Sequence, residues 1–222
     1  MNLKLYIDHT KLGPLVLKED VKKLCLEAKE YGFKAVCVSP VWVSYAKELL
    51  TDSEVLVATV VGFPHGANLM SVKAFETTQA YNDGADEFDM VINIAALKEK
   101  NYDLVLEEIK AVVKAALGKT VKVIIETCYL TDEEIKKATE LSLEAKAHFV
   151  KTSTGFGTRG AALKDVELMD EVLKGKAEIK ASGGIRTYDE ALELIEAGAT
   201  RIGASKGIDI INGEKKWSQH HI

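Results

Sequence analysis

Eight short apolar runs, each followed by a stretch of helical periodicity, constrain this chain more than any other feature of its sequence. They cover Leu5–His9, Ala35–Val38, Val55–Val61, Glu87–Ile92, Val121–Glu126, His148–Thr152, Glu178–Ala181 and Arg201–Gly203. Runs this short read as buried β-strands. Between them lie Lys18–Tyr31, Ser71–Asn82, Tyr102–Ala116, Asp132–Ala147 and Tyr188–Ala197, with apolar residues at helical spacing and Lys and Glu outside. Gly32, Gly84 and Gly198 punctuate helix ends, and Thr131 followed by Asp132, Glu133 and Glu134 makes a helix start suited to the helix dipole. Strand and helix in alternation mean repeated βα units and a parallel sheet. Eight units in 222 residues favour a closed (β/α)8 TIM barrel over an open doubly wound sheet. One barrel domain over residues 1–222 is expected, with a polar tail from about Glu214 that frays.

Composition removes several function classes. A net charge of −5, with no basic run interleaved with aromatics, argues against nucleic acid as the main partner. The longest apolar stretch, Val55–Val61, is too short to span a bilayer, and Met1-Asn2-Leu3-Lys4 opens no signal-peptide core, so a cytoplasmic protein without membrane contact is expected. Cys25, Cys37 and Cys128 are odd in number and widely spaced, which fits reduced thiols rather than disulfides or a zinc pattern. His220 and His221 lack further ligands nearby, so they read as part of the tail rather than a metal site.

Two lysines stand out, Lys151 in Val150-Lys151-Thr152-Ser153-Thr154-Gly155 and Lys180 in Ile179-Lys180-Ala181-Ser182-Gly183-Gly184. Each ends an apolar run, where an ammonium is expensive unless it has a purpose. A lysine nucleophile must first lose its proton, and at pH 7 an unperturbed lysine is neutral only about once in 2,500. A second ammonium about 4 Å away, at an effective dielectric of about 20, opposes that proton by about 4 kcal/mol, or about three pKa units. Strands six and seven are neighbours in an eight-stranded barrel, so an inward-pointing Lys151 and Lys180 could approach this closely. The competing reading is that each merely snorkels from a strand end into solvent.

Asp89 lies inside Glu87-Phe88-Asp89-Met90-Val91, on the face opposite Phe88 and Met90, and a carboxylate there needs a cationic or hydrogen-bonded partner. Asp8 and Glu126 occupy similar strand ends; for each, a structural ion pair rivals a catalytic role. Glycine-bearing turns at Thr152–Gly157, Ser182–Gly184 and Gly203–Gly207 offer freed backbone N–H groups for a phosphate, and this fold commonly places such a cradle after strands seven and eight. Cys37 reads as barrel packing, and His65 either borders the mouth or lies on the surface.

These segments, with Tyr6-Ile7-Asp8-His9-Thr10, Gly62-Phe63-Pro64, Lys122-Val123-Ile124-Ile125-Glu126-Thr127 and Arg201-Ile202-Gly203-Ala204-Ser205, resemble the deoxyribose-phosphate aldolase family nearly end to end and in order. The resemblance implies a class I aldolase that reversibly cleaves 2-deoxy-D-ribose 5-phosphate to D-glyceraldehyde 3-phosphate and acetaldehyde, without metal or cofactor. By position, Lys151 matches the Schiff-base lysine, Lys180 the lysine that depresses its pKa, Asp89 the proton donor and acceptor, and Asp8 the partner of Lys180. Cys37 and Lys122 match pocket residues. Thr152, Gly155, Gly183, Gly184, Gly203 and Ser205 match the substrate- and phosphate-binding turns. Two departures stand out. Lys206 replaces a serine found in many members, so phosphate binds more tightly or Lys206 points away. The chain also ends without the tyrosine that assists proton transfer in some members, so slower turnover is expected. Barrels of this kind often pair, so a homo-dimer or tetramer is expected. The rivals are a phosphosugar isomerase or synthase using the cradle without a Schiff base, and a non-catalytic sugar-phosphate sensor.

Overall fold

The computed structural model describes residues 2–220, and their side chains as far as residue 213. Eight parallel strands close on themselves in chain order: β1 (Ile7–Lys11), β2 (Ala35–Val38), β3 (Leu56–Val61), β4 (Glu87–Val91), β5 (Thr120–Ile124), β6 (Phe149–Lys151), β7 (Glu178–Ser182) and β8 (Arg201–Ala204), with β8 pairing β1. This is the TIM barrel that the alternation of runs predicts. Around it lie α1 (Lys18–Tyr31), α2 (Val43–Leu49), α3 (Met70–Asn82), α4 (Ile94–Lys98), α5 (Tyr102–Ala115), α6 (Asp132–Glu144), α7 (Leu163–Leu173), α8 (Tyr188–Glu196) and α9 (Gly207–His220). The expected polar tail falls where side chains are not described, and His221 and Ile222 lie outside the described residues altogether.

Local chemistry sets several boundaries. Thr131 and Glu134 close a reciprocal capping box at the start of α6, as Thr187 and Glu190 do for α8, each satisfying backbone donors that the first turn leaves free. Gly32 ends α1 at φ 68°, a left-handed position that glycine adopts without steric cost. Two strands differ from expectation by more than one residue at an end. Leu3–Tyr6 winds into a single 3-10 turn that leaves Leu5 exposed, so β1 starts at Ile7 and continues to Lys11. β5 ends at Ile124 because Glu126 takes φ 54°, which no strand accommodates.

Strand parity divides the interior in two. Val36, Phe88, Met90, Val123, Val150 and Ile202 belong to the main apolar core, packed with helix residues such as Leu24, Ile109, Ile135 and Met169. Inside the barrel, β2 and β3 contribute a small apolar wall, Ala35, Cys37, Ala58 and Val60. The other strands send charged side chains inward. Among the described residues, no helix is long and apolar enough to cross a membrane.

Candidate active site

Among the described residues, seven charged side chains meet inside the barrel. Asp8 comes from β1, Glu87 and Asp89 from β4, Lys122 from β5, Lys151 from β6, Lys180 from β7 and Arg201 from β8. All are buried: Asp8, Asp89, Lys122 and Lys180 have no exposure, while Lys151 keeps 4%. Asp89 is the hub. Its Oδ2 accepts from Lys151 Nζ at 2.8 Å and Lys180 Nζ at 2.7 Å, and its Oδ1 from Lys122 Nζ at 2.8 Å. Sharing one oxygen holds the Lys151 and Lys180 nitrogens within a few ångströms of each other. Lys180 also donates to Asp8 Oδ2 at 2.5 Å.

Burial alone would strip each lysine of its proton, so the acids decide which lysine keeps it. Lys122 is held well above the usual lysine range by Asp89, Asp8 and Glu87, and Lys180 is held up by Asp8 and Asp89. Lys151 goes the other way. Burial lowers it, Asp89 raises it, Lys180 lowers it again, and the net shift is downward. Burial would raise Asp89, but Lys122, Lys151 and Lys180 outweigh it and hold the carboxyl well below its ordinary value. Asp8 is likewise held low, by Lys180, Lys122 and Arg201.

A cavity of about 300 Å³ opens at the strand ends, and of the four clustered cations only Lys151 lines it. Gly155, Gly183, Gly184, Gly203 and Ser205 share that lining, with Arg186 as a further cation and Leu12, Phe156 and Ile185 as apolar surface. Phe156 packs edge-to-face on Phe63 at 5.4 Å between ring centroids. The turns after β6 and β7 press together so closely that a Cβ on Gly160 would lie 1.9 Å from Gly183 O. They are laced by Ser182 Oγ donating to Ser153 O at 2.6 Å and Ser182 N donating to Thr152 Oγ1 at 3.1 Å. Gly203 makes room: a Cβ there would sit 3.0 Å from Lys180 Cε.

The structure therefore gathers Lys151, Lys180, Asp89, Asp8 and Lys122 as expected, with the glycine turns and Ser205 at the mouth. Lys122 joins the buried cluster but does not line the cavity. Three further expected residues stand apart from the cavity. Thr152 is buried and ties β6 to β7, and Cys37 is buried in the small apolar wall, where burial raises its thiol pKa. Lys206 lines an adjoining cleft with His9 and Lys11, paired with Asp209 at 3.4 Å. His65 is exposed. Glu126 accepts from Thr154 N at 3.2 Å and from the Thr154 hydroxyl, which makes it a loop anchor. Sequence reasoning passed over Glu87, Arg201, Arg186, Phe156 and Gly160. The i, i+2 spacing of Glu87 and Asp89 on one strand was the available signal for the first.

The family model for DeoC/LacD aldolases matches residues 3–213. The chain belongs to the DeoC/LacD aldolase family. Among its relatives, the deoxyribose-phosphate aldolase of Streptococcus suis is 59% identical over 213 residues, 96% of this chain and 97% of that one. A putative deoxyribose-phosphate aldolase from Coccidioides immitis superimposes with a TM-score of 0.95 at 42% identity, over 96% of this chain and 86% of its own. The tetrameric deoxyribose phosphate aldolase from Aeropyrum pernix gives 0.90 at 33% identity, over 97% and 92%. An aldolase of this family needs an amine or a metal to stabilise the carbanion it generates, and the cavity presents an amine with a lowered pKa.

Proposed function

We propose that this aldolase reversibly cleaves 2-deoxy-D-ribose 5-phosphate to D-glyceraldehyde 3-phosphate and acetaldehyde through a Schiff base on Lys151. The observation that carries the reading is the asymmetry of the lysines: Lys151 alone of the buried set both lines the cavity and has its pKa lowered. Neutral Lys151 Nζ adds to C1 of the open-chain aldehyde, and the carbinolamine loses water to give an iminium. Acetaldehyde carries C1 and C2, so the bond that breaks is C2–C3. As the C3 hydroxyl loses its proton, the C2–C3 electron pair flows toward the iminium nitrogen, leaving an enamine and free D-glyceraldehyde 3-phosphate. Protonation at C2 and hydrolysis of the iminium then release acetaldehyde and the amine.

Asp89, 2.8 Å from Lys151 Nζ and kept ionised by its lysines, is placed to take and return protons at the carbinolamine, and to reach the C3 hydroxyl through a water. Lys180 contributes the repulsion that favours the neutral amine, and Asp8 fixes Lys180. The phosphate sits against Gly155, Gly183, Gly184 and Ser205, with Arg186 supplying positive charge. Held there, it orients C1 toward Lys151. The same proposal places the protein in the cytoplasm, in deoxyribose phosphate catabolism, as a homo-dimer or tetramer; the Aeropyrum pernix relative is described as a tetramer. The test is aldol cleavage: acetaldehyde released from 2-deoxy-D-ribose 5-phosphate by the native protein supports the reading. No cleavage at any pH between about 6 and 9 overturns it.

A further inference from the structure

Two charged residues of the barrel interior take no part in the chemistry above. Arg201 Nη1 donates to Asp8 Oδ1 at 2.8 Å and to Glu87 Oε2 at 2.9 Å, while Nη2 donates to Glu87 Oε1 at 3.3 Å. Glu87 Oε2 also lies 2.6 Å from Lys122 Nζ. Neither residue lines the cavity, and the guanidinium is stacked against the Phe149 ring at 5.1 Å. Burying such a pair costs desolvation free energy on both sides, which an apolar pair of similar volume would avoid.

We propose that Glu87 and Arg201 are a positioning pair whose opposite charges, acting through Asp8 and Lys122, determine that Lys151 is the group that gives up a proton. The cluster holds four cations, Lys122, Lys151, Lys180 and Arg201, against three anions, Asp8, Glu87 and Asp89. Fully charged, it carries one excess positive charge in an interior that solvates charge poorly, and the loss of one proton balances it. Guanidinium does not release one. Among the described residues, Lys122 touches three carboxylates and Lys180 two, whereas Lys151 touches Asp89 alone and lines the cavity.

The groups that face Lys151 are Asp89 from β4, Lys180 from β7 and the Cys37 thiol from β2, kept protonated by burial, while Lys122 from β5 and Asp8 from β1 stand one contact further away, on Asp89 and Lys180. Glu87 and Arg201 lie behind them. Each is bonded to groups that touch Asp89 or Lys180, so changing either charge alters the field at Lys151 without removing a direct contact. The two changes act in opposite directions, which no purely structural role predicts.

The inference rests on the aldolase reading only in taking Lys151 as the reacting amine. Its test reads that amine directly: competitive labelling of the intact protein with a small acylating reagent across pH, with mass spectrometry quantifying Lys151. Glu87→Gln leaves two excess positive charges, so Lys151 titrates lower. Arg201→Gln balances the cluster with Lys151 charged, so it titrates higher. At separations of about 8–10 Å and an effective dielectric of about 20, each shift is about one to one and a half pH units. Arg201→Lys keeps the cation and leaves Lys151 near its native titration. Unchanged titration in both neutral variants, or shifts of the same sign, overturns the proposal. If only one of them folds, the sign of its shift decides; failure of both to fold marks the pair as structural and overturns it too. A native protein that forms no borohydride adduct with acetaldehyde removes the aldolase reading instead, while the labelling shifts still decide this one.

Discussion

Replacing Lys180 with methionine removes a charge while keeping most of the stem's volume, and its effect follows from one shared oxygen. Lys180 Nζ and Lys151 Nζ lie 2.7 Å and 2.8 Å from Asp89 Oδ2. Two ammonium groups on one carboxylate oxygen are about 4–5 Å apart, where at an effective dielectric of about 20 they repel by about 3–4 kcal/mol, or about two to three pKa units. Without that repulsion Lys151 holds its proton more tightly, and the neutral fraction at pH 7 falls about 100- to 1,000-fold. Asp8 keeps Arg201 at 2.8 Å and Lys122 at 3.4 Å, so the interior remains paired and the fold persists. The assay is kcat/KM for 2-deoxy-D-ribose 5-phosphate from about pH 6 to pH 10. Lys180→Met is expected to lose about 100-fold or more near neutrality, with the acidic limb displaced upward by about two units and part of the rate recovered at high pH. An equal loss at every pH, or a loss of less than about tenfold at pH 7, refutes the electrostatic account of Lys180.

Three further outcomes follow from the same geometry. Asp8 and Asp89 bind protons less readily folded than unfolded, so their stabilisation is complete above the unfolded value of about 4 and is lost as pH falls toward their lowered folded values. Denaturant midpoints should fall below about pH 4, less steeply in Asp89→Asn; identical slopes count against the assignment. Gly203→Ala would bring a Cβ to 2.9 Å from Ser182 Cβ and 3.0 Å from Lys180 Cε, so a stability loss of about 1–3 kcal/mol with reduced kcat is expected, and native-like values of both contradict the packing argument. Lys206 is exposed and paired with an exposed Asp209, so Lys206→Gln should change KM by less than about threefold; a tenfold rise would place it at the phosphate after all.

The barrel was legible because its strands are short, apolar and evenly spaced, and because glycines and capping boxes mark the helix ends. What the sequence concealed was local geometry and long-range pairing. Nothing in the apolar Leu3–Ile7 stretch signals that a 3-10 turn precedes β1, and the left-handed backbone at Glu126 stops a strand whose composition would continue it. Asp89 drew notice because a carboxylate between Phe88 and Met90 needs a partner. Glu87 and Arg201 escaped because a single charge at a strand's first residue looks like a solvated end. The separate roles of Lys151 and Lys180 were not in the spacing either: both end apolar runs and both precede glycine turns. Only the closed barrel gives one lysine two carboxylates and the other a single carboxylate and the cavity.

The most direct measurement is to trap the reacting amine. Incubating the native protein with acetaldehyde and sodium borohydride, followed by digestion and mass spectrometry, should find one ethyl group per chain on Lys151, with Lys180 and Lys122 unmodified. An ethyl group on Lys180 with Lys151 unmodified, or cleavage activity that survives in Lys151→Ala, would contradict the account at its centre.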